Sequence, residues 1–172
     1  MPPSEPAPTA EPTLRPATDD DLPFLRRLYA STRREELAQV DWPEAQKEAF
    51  LRMQFEAQHR HYREHYPRAR FDVVLVDGEP AGRFYVDVWR DQIRLVDVAL
   101  LPVHRGRGLG TRLIRSVLDQ GEADGKPVTI HVEQFNPALR LYERLGFRRI
   151  GEHGVYHLME WRPDVPSGSA LR

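Results

Sequence analysis

The stretch from Leu100 to Thr111 constrains this chain more than any other. An apolar strand runs into a turn with glycines at 106, 108 and 110, and a helix leaves it. Leu109, Leu113, Ile114, Val117 and Leu118 share one face of that helix, and Gly125-Lys126-Pro127 stops it. A strand feeding such a turn needs partners. Residues 71–76 read as one strand, Asp77-Gly78-Glu79-Pro80 as a hairpin turn and residues 81–88 as the return, with a third strand over 92–100. Upstream, residues 14–17 read as a short strand, Thr18 with Asp19, Asp20 and Asp21 as a helix N-cap, and Leu22, Leu25, Leu28 and Tyr29 as the stripe of a first helix. Asp41-Trp42-Pro43 opens a second, whose stripe is Phe50, Leu51, Met53 and Phe55. Downstream come a buried strand at 128–132, a short helix at 137–145, and strands at 147–152 and 155–161 around Gly154. The order β-α-α-β-β-β-α-β-α-β-β predicts an α/β (α+β) fold, a mixed sheet with helices on both faces.

A Gly-rich turn between strand and helix aims several backbone N–H groups at one point, where the helix dipole is positive. Glycine permits unusual φ angles and removes the Cβ atoms that would block a ligand. Arg105 and Arg107 add charge-assisted donors suited to phosphate oxygens, and Thr111 adds a hydroxyl from the first turn. These features predict a pyrophosphate cradle. A P-loop would end in Gly-Lys-Ser/Thr, whereas this turn ends in Gly108-Leu109-Gly110-Thr111 with no lysine. A dinucleotide fingerprint would be G-x-G-x-x-G early in a βαβ unit, and this turn is G-x-G-x-G after a hairpin.

Composition narrows the classes. With 172 residues the chain has the size of one domain, and its formal net charge of −1 builds no global field for nucleic acid or an anionic membrane. The absence of cysteine excludes disulfides, thiolate metal ligands and a covalent cysteine nucleophile. No apolar run approaches the ~20 residues of a membrane span. Met1-Pro2-Pro3-Ser4-Glu5-Pro6 lacks the basic start and apolar stretch of a signal peptide, so a cytoplasmic location is expected. Prolines at 2, 3, 6, 8 and 12 mark residues 1–12 as a disordered tail, 13–162 as a single domain and 163–172 as a polar tail. His59, His61 and His65 cluster on the second helix but lack the further ligands of a zinc site, so no metal is expected.

Arg105-x-x-Gly108-x-Gly110 resembles the R/Q-x-x-G-x-G/A motif of the GNAT superfamily of acyl-CoA N-acyltransferases, and the preceding Leu100-Leu101-Pro102 fits that family's fourth strand. Asn136-Pro137-Ala138-Leu139-Arg140-Leu141-Tyr142-Glu143-Arg144-Leu145-Gly146-Phe147 resembles its N-x-x-A-x-x-L-Y-E-x-x-G-F segment, one residue shorter between Asn136 and Tyr142 than in many members. The resemblance covers roughly residues 14–161. It implies a GNAT-like, mostly antiparallel sheet of six to seven strands with about four helices.

The resemblance further implies an N-acetyltransferase that uses acetyl-CoA and a small-molecule or peptide amine, with a homodimer common in the family. Arg105, Gly106, Arg107, Gly108, Leu109, Gly110 and Thr111 would hold the CoA pyrophosphate. The main chain of Val98 and Leu100, on a strand that bulges and splays from the fifth, would pair with pantetheine and face the developing oxyanion. Asn136 would contact the pantetheine arm, and Trp42 and Tyr62 would shape the acceptor pocket. Tyr142 is the expected general acid, since a phenol can protonate the departing thiolate of a thiol with pKa ~8.5. The amine must lose a proton before attack. Asp97 on the fourth strand and His131 and Glu133 on the fifth are the candidate bases, beside a water chain with no dedicated base. Without cysteine, transfer would be direct, in a ternary complex. A non-catalytic acyl-CoA-binding module on the same fold and a nucleotide-binding regulatory domain are the competing readings.

Overall fold

The computed structural model describes residues 11–164. Of the two expected tails, residues 1–10 and 165–172 lie outside the described residues.

The strands are β1 (Thr13–Pro16), β2 (Arg70–Val76), β3 (Glu79–Val88), β4 (Ile93–Leu100), β5 (Val128–Glu133), β6 (Arg148–His153) and β7 (Tyr156–Trp161). The helices are α1 (Leu22–Ala38), α2 (Glu44–His65), α3 (Leu109–Asp124) and α4 (Leu139–Arg144). Single 3₁₀ turns at Asp19–Asp21 and Pro102–His104 lead into α1 and out of β4. The element order is the one the periodicities predict. Helix α4 starts later than expected because Asn136 is spent on a turn: its side-chain carbonyl accepts from the Ala138 amide at 2.9 Å and its main-chain carbonyl from the Leu139 amide at 3.1 Å.

The strands form one sheet in the order β1-β2-β3-β4-β5-β7-β6. β1–β2, β5–β7 and β6–β7 are antiparallel, while β4 pairs with β5 in parallel through Ile93↔Val128, Arg94↔Thr129 and Leu95↔Ile130. The β2–β3 hairpin turns through Asp77 (φ 52°) and Gly78 (φ 78°), both left-handed, as a two-residue turn matched to strand twist requires.

By internal packing the described residues fall into two compact units, one holding residues 11–85 with Asp97–Gly110, the other Val86–Val96 with residues 111–164. In the first, Phe24, Leu25, Leu28 and Tyr29 of α1 bury against Phe55 of α2 and Val73 of β2, with Leu75, Ala99 and Leu101 beside them. Each such side chain contributes about 1.5–3 kcal/mol by leaving water. Phe55 is the only residue of α2 fully buried, so most of that long helix faces outward. Arg15 grips the Asp21 carboxylate through both guanidinium nitrogens (2.7 and 2.8 Å), and the Thr18 amide donates to it at 2.8 Å. These bonds hold the Asp21 carboxyl below its ordinary pKa, with Arg15 the largest cause.

In the second unit, the predicted face of α3 is buried at Leu113, Ile114, Val117 and Leu118, as are Val128, Ile130 and Val132 of β5. Gly121 lets α3 approach closely, since a Cβ there would stand 2.8 Å from the Lys126 carbonyl and 2.9 Å from the Trp161 ring.

Candidate active site

The turn after β4 has the backbone its sequence predicts. Gly106 and Gly108 have φ of 73° and 77°, a region that costs an L side chain, although a Cβ at either would meet nothing. The demand is therefore on backbone direction and not on room within the protein. At Gly110 a Cβ would reach only Leu100 Cδ1, at 3.9 Å, so no protein neighbour requires a glycine there. Leu109, 1% exposed, anchors the first residue of α3, leaving its leading amides without helical acceptors. Arg105 Nε donates to the Leu100 carbonyl at 2.9 Å and ties the turn to the end of β4, while Arg107 is exposed.

Val98 and Leu100 are half-buried. The Leu101 amide donates to the Ala81 carbonyl at 2.8 Å, holding this end of β4 to β3. Gly82 makes that approach feasible, because a Cβ there would fall 2.2 Å from the Ala99 carbonyl oxygen.

Asp97, on the same strand as Val98 and Leu100, sits in a network that sequence reading only partly anticipates. Its Oδ2 accepts from Tyr62 Oη of α2 at 2.7 Å and from Arg83 Nη2 of β3 at 2.7 Å. The Arg83 side chain is 5% exposed and that of Asp97 14%. Arg83 Nη2 also donates to Gln58 Oε1 at 2.8 Å, and its guanidinium lies over the Tyr85 and Tyr62 rings at 5.3 and 6.0 Å. Burial opposes the arginine's charge, but Asp97 and the two phenols outweigh it and raise its pKa. The same burial raises the Tyr85 phenol. Arg83 Nε is buried with no hydrogen-bond partner among the described residues, the one flaw in an otherwise satisfied group.

Arg83 and Gln58 are the functional neighbours that sequence reading missed. One signal was present: an arginine inside the apolar run Ala81-Gly82-Arg83-Phe84-Tyr85-Val86 demands a buried anion. Nothing local indicates that Asp97 supplies it. Trp42, expected to line a pocket, packs edge-on against Phe50 at 5.5 Å.

The other candidates lie in the second unit. Tyr142 of α4 is 6% exposed, with its ring edge-on to Phe147 at 5.5 Å. Asn136 is exposed, and its amide nitrogen has no partner among the described residues. Thr111 and Glu133 are half-buried. His131 stands beside Arg94, whose Nη1 lies 3.3 Å from His131 Nδ1. A guanidinium can only donate, so this contact assigns Nδ1 as the acceptor and the proton of the neutral ring to Nε2. Desolvation, then the charges of Arg94 and His153, lower the His131 pKa. Arg94 Nε also holds Thr129 Oγ1 at 2.9 Å, and Thr129 donates to Gln92 at 2.6 Å. His131 is thus part of a polar strip on β4 and β5 that occupies its basic nitrogen.

The rings of His61 and His65 stack 4.0 Å apart. Among the described residues no group of three His, Cys, Asp or Glu side chains is placed to hold a metal, and no helix is long and apolar enough to cross a membrane.

Comparison with known proteins follows the same lines. The sequence profile of the Acetyltransferase (GNAT) family matches residues 28–147. A putative [ribosomal protein bS18]-alanine N-acetyltransferase of Bacillus subtilis is 32% identical over 95 residues, 53% of this chain and 62% of that protein. Streptothricin acetyltransferase of Streptomyces lavendulae is 33% identical over 85 residues, 47% of this chain and 45% of that protein. Across the curated relatives the matched region spans less than two thirds of their length, down to 21% for a mycothiol acetyltransferase of Corynebacterium glutamicum. The fold is that of the PaiA N-acetyltransferase of Thermoplasma acidophilum, solved in complex with coenzyme A, with a TM-score of 0.67 at 16% identity over 88% of this chain and 99% of that one. With the profile spanning most of the described residues and both motifs inside it, the chain belongs to the acetyltransferase (GNAT) family.

Proposed function

We propose that this chain moves an acetyl group from acetyl-CoA directly onto a primary amine, with residues 13–162 working as one catalytic domain. The observation that carries the reading is the turn after β4. Two left-handed glycines, Gly106 and Gly108, stand directly before α3 and alternate with Arg105 and Arg107. That donor set suits a diphosphate. The open space at Gly106 and Gly108 is what close approach of a phosphate to backbone needs. The residues therefore fit coenzyme A, and bound acetyl-CoA supplies a thioester activated toward amines.

In this reading Arg105, Arg107 and the amides of residues 106–111 hold the diphosphate, with Thr111 adding its hydroxyl. The main chain of Val98 and Leu100 aligns the pantetheine arm, and the free amide nitrogen of Asn136 hydrogen-bonds to it. An alkylamine with pKa ~10.4 arrives protonated and must be deprotonated. Asp97 is the favoured acceptor of that proton among the candidate bases, because both donors it holds converge on Oδ2 and leave Oδ1 without a protein partner among the described residues. His131 is disfavoured because its basic nitrogen already faces Arg94. Glu133, half-buried on the same strand, and a water chain with no dedicated base are the remaining alternatives. As the new C–N bond forms and the C–S bond breaks, Tyr142 delivers a proton to the sulfur that leaves with the electron pair, and the second proton shed by the acylated nitrogen restores the phenol. Direct transfer accords with a chain that has no cysteine.

Calorimetric titration tests the reading. One-to-one binding of acetyl-CoA that CoA displaces and ATP or NAD does not is the expected result. Binding of NAD or ATP in place of acetyl-CoA would make the turn a nucleotide site and remove the proposal.

A further inference from the structure

Beside Asp97 lies a surface that transfer chemistry alone does not use. Residues 60–70 carry Arg60, Arg63, Arg68 and Arg70 against a single acid, Glu64, with His61 and His65 interspersed. All seven side chains are exposed. None of the four arginines forms a direct ion pair with a carboxylate among the described residues, not even Arg60 with Glu64, one helical turn away, although the charge of Arg70 is felt by the Asp72 carboxyl. Arg63 is fixed over the Phe71 ring at 4.3 Å. Cations in the last turn of a helix complement its dipole, which accounts for Arg63. Arg68 and Arg70 lie beyond the end of α2, where the dipole gives no reason for them. Unpaired guanidinium groups so concentrated attract anions, and their planar forks match carboxylates.

The position of this surface ties it to the acceptor. Tyr62, which donates to Asp97, lies within the same turns of α2, between His61 and Arg63. Through rings Arg63 is linked to Tyr62: Arg63 stands over Phe71, which packs edge-on against Tyr85 at 4.9 Å, and Tyr85 packs against Tyr62 at 6.0 Å. An acceptor whose amine reaches Asp97 therefore has Arg63 within the same cluster. A nucleic acid would satisfy the charge but offers no alkylamine to acylate, whereas a peptide offers both.

We propose that the acceptor is an acidic peptide, a primary amine flanked by Asp or Glu, whose carboxylates rest on Arg60, Arg63, Arg68 and Arg70 while the amine meets Asp97. This rests on the acetyl-transfer reading and names its substrate class. A peptide with lysines in the same places is repelled.

The experiment uses the full chain and three C-terminally labelled peptides with a free α-amine, differing only in Glu, Gln or Lys after the first residue. Fluorescence anisotropy measures binding, and thiol release from acetyl-CoA measures transfer. The Glu peptide is expected to bind at least about tenfold more tightly than the Gln peptide, and the advantage shrinks as salt rises. The double variant Arg60→Glu/Arg68→Glu, altering two exposed and unpartnered side chains, is expected to abolish that preference while acetyl-CoA binding stays as in the wild type. Equal binding of the Glu and Gln peptides, a preference that survives the charge reversal, or displacement of the Glu peptide by an oligothymidylate of equal charge would each overturn the proposal. Thiol release with no preference for Glu overturns the acidic acceptor alone. A Glu preference in binding with no thiol release from any peptide overturns the transfer reading.

Discussion

Tyr62 donates its phenolic proton to the carboxylate of Asp97 across 2.7 Å, joining the long second helix to the strand that leads into the glycine-rich turn. Arg83 donates to the same oxygen from the next strand. Replacing Asp97 by Asn strands a guanidinium whose side chain is 5% exposed, so Asp97→Asn is expected to lower unfolding free energy by about 3–5 kcal/mol. It is also expected to reduce kcat by ~100-fold or more if the carboxylate takes the proton. Adding Arg83→Met removes the stranded charge, and urea titration of the double variant should recover most of the stability. Turnover that recovers with it would mean that Asp97 is structural.

His131 gives the opposite expectation. Its Nδ1 is engaged by Arg94 and its pKa is lowered, so the ring offers no free basic nitrogen in its neutral form. His131→Gln should hold kcat within about threefold of wild type, well short of the loss that removing a general base brings. A fall of ~100-fold with acetyl-CoA binding intact would return the role to His131.

The order of elements was readable because each boundary is made locally. Asp77-Gly78 specifies its hairpin, Pro43 and Thr18 mark helix starts, and the apolar spacing of α3 switches cleanly from period two. The turn from Arg105 to Gly110 was readable for the same reason, since φ at Gly106 and Gly108 is a property of the backbone there. The side-chain network was not. Arg83 and Tyr62 meet Asp97 from positions 14 and 35 residues away in sequence, Gln58 meets Arg83 from 25 away, and a charge's partner at that range is set by packing. His131 presents the same difficulty: its alternation along β5 places it on a face, but the hydrogen bond that occupies it comes from β4.

Two glycines are expected to fail differently when changed to alanine. Gly108→Ala meets no neighbour and strains only the backbone, at about 1–2 kcal/mol, with its main effect a weaker acetyl-CoA titration. Gly82→Ala drives a methyl into the Ala99 carbonyl, so it should destabilise by about 1–3 kcal/mol and displace the end of β4. Thermal melts with and without acetyl-CoA separate the two. A Gly108→Ala protein that binds acetyl-CoA as tightly as wild type would remove the turn from the site.

Acid stability should depend on Asp21. Its carboxyl is held below its ordinary value by Arg15 and by the Thr18 amide, so the unfolded state takes up protons first as pH falls. The contribution is complete above the unfolded carboxylate value of ~3.9 and is lost as pH drops through the lower folded value. Urea midpoints measured from pH 6 downward should fall less steeply with pH in Arg15→Ala than in wild type across this window. Parallel curves would mean that the Arg15–Asp21 pair contributes nothing to the acid limb.

Amine-dependent thiol release from acetyl-CoA, run side by side on wild type and Tyr142→Phe, reads acetyl transfer and the part of Tyr142 in it. Tyr142 is buried against Phe147, and the substitution removes only the hydroxyl from a ring whose packing it retains. Release in the wild type is expected to require an amine, with a ~10²–10⁴-fold lower kcat in Tyr142→Phe and the same acetyl-CoA affinity in both. Full turnover in Tyr142→Phe would contradict the role given to the tyrosine. Tight acetyl-CoA binding with no release across a broad panel of amines would contradict the account as a whole and leave a binding module on this fold.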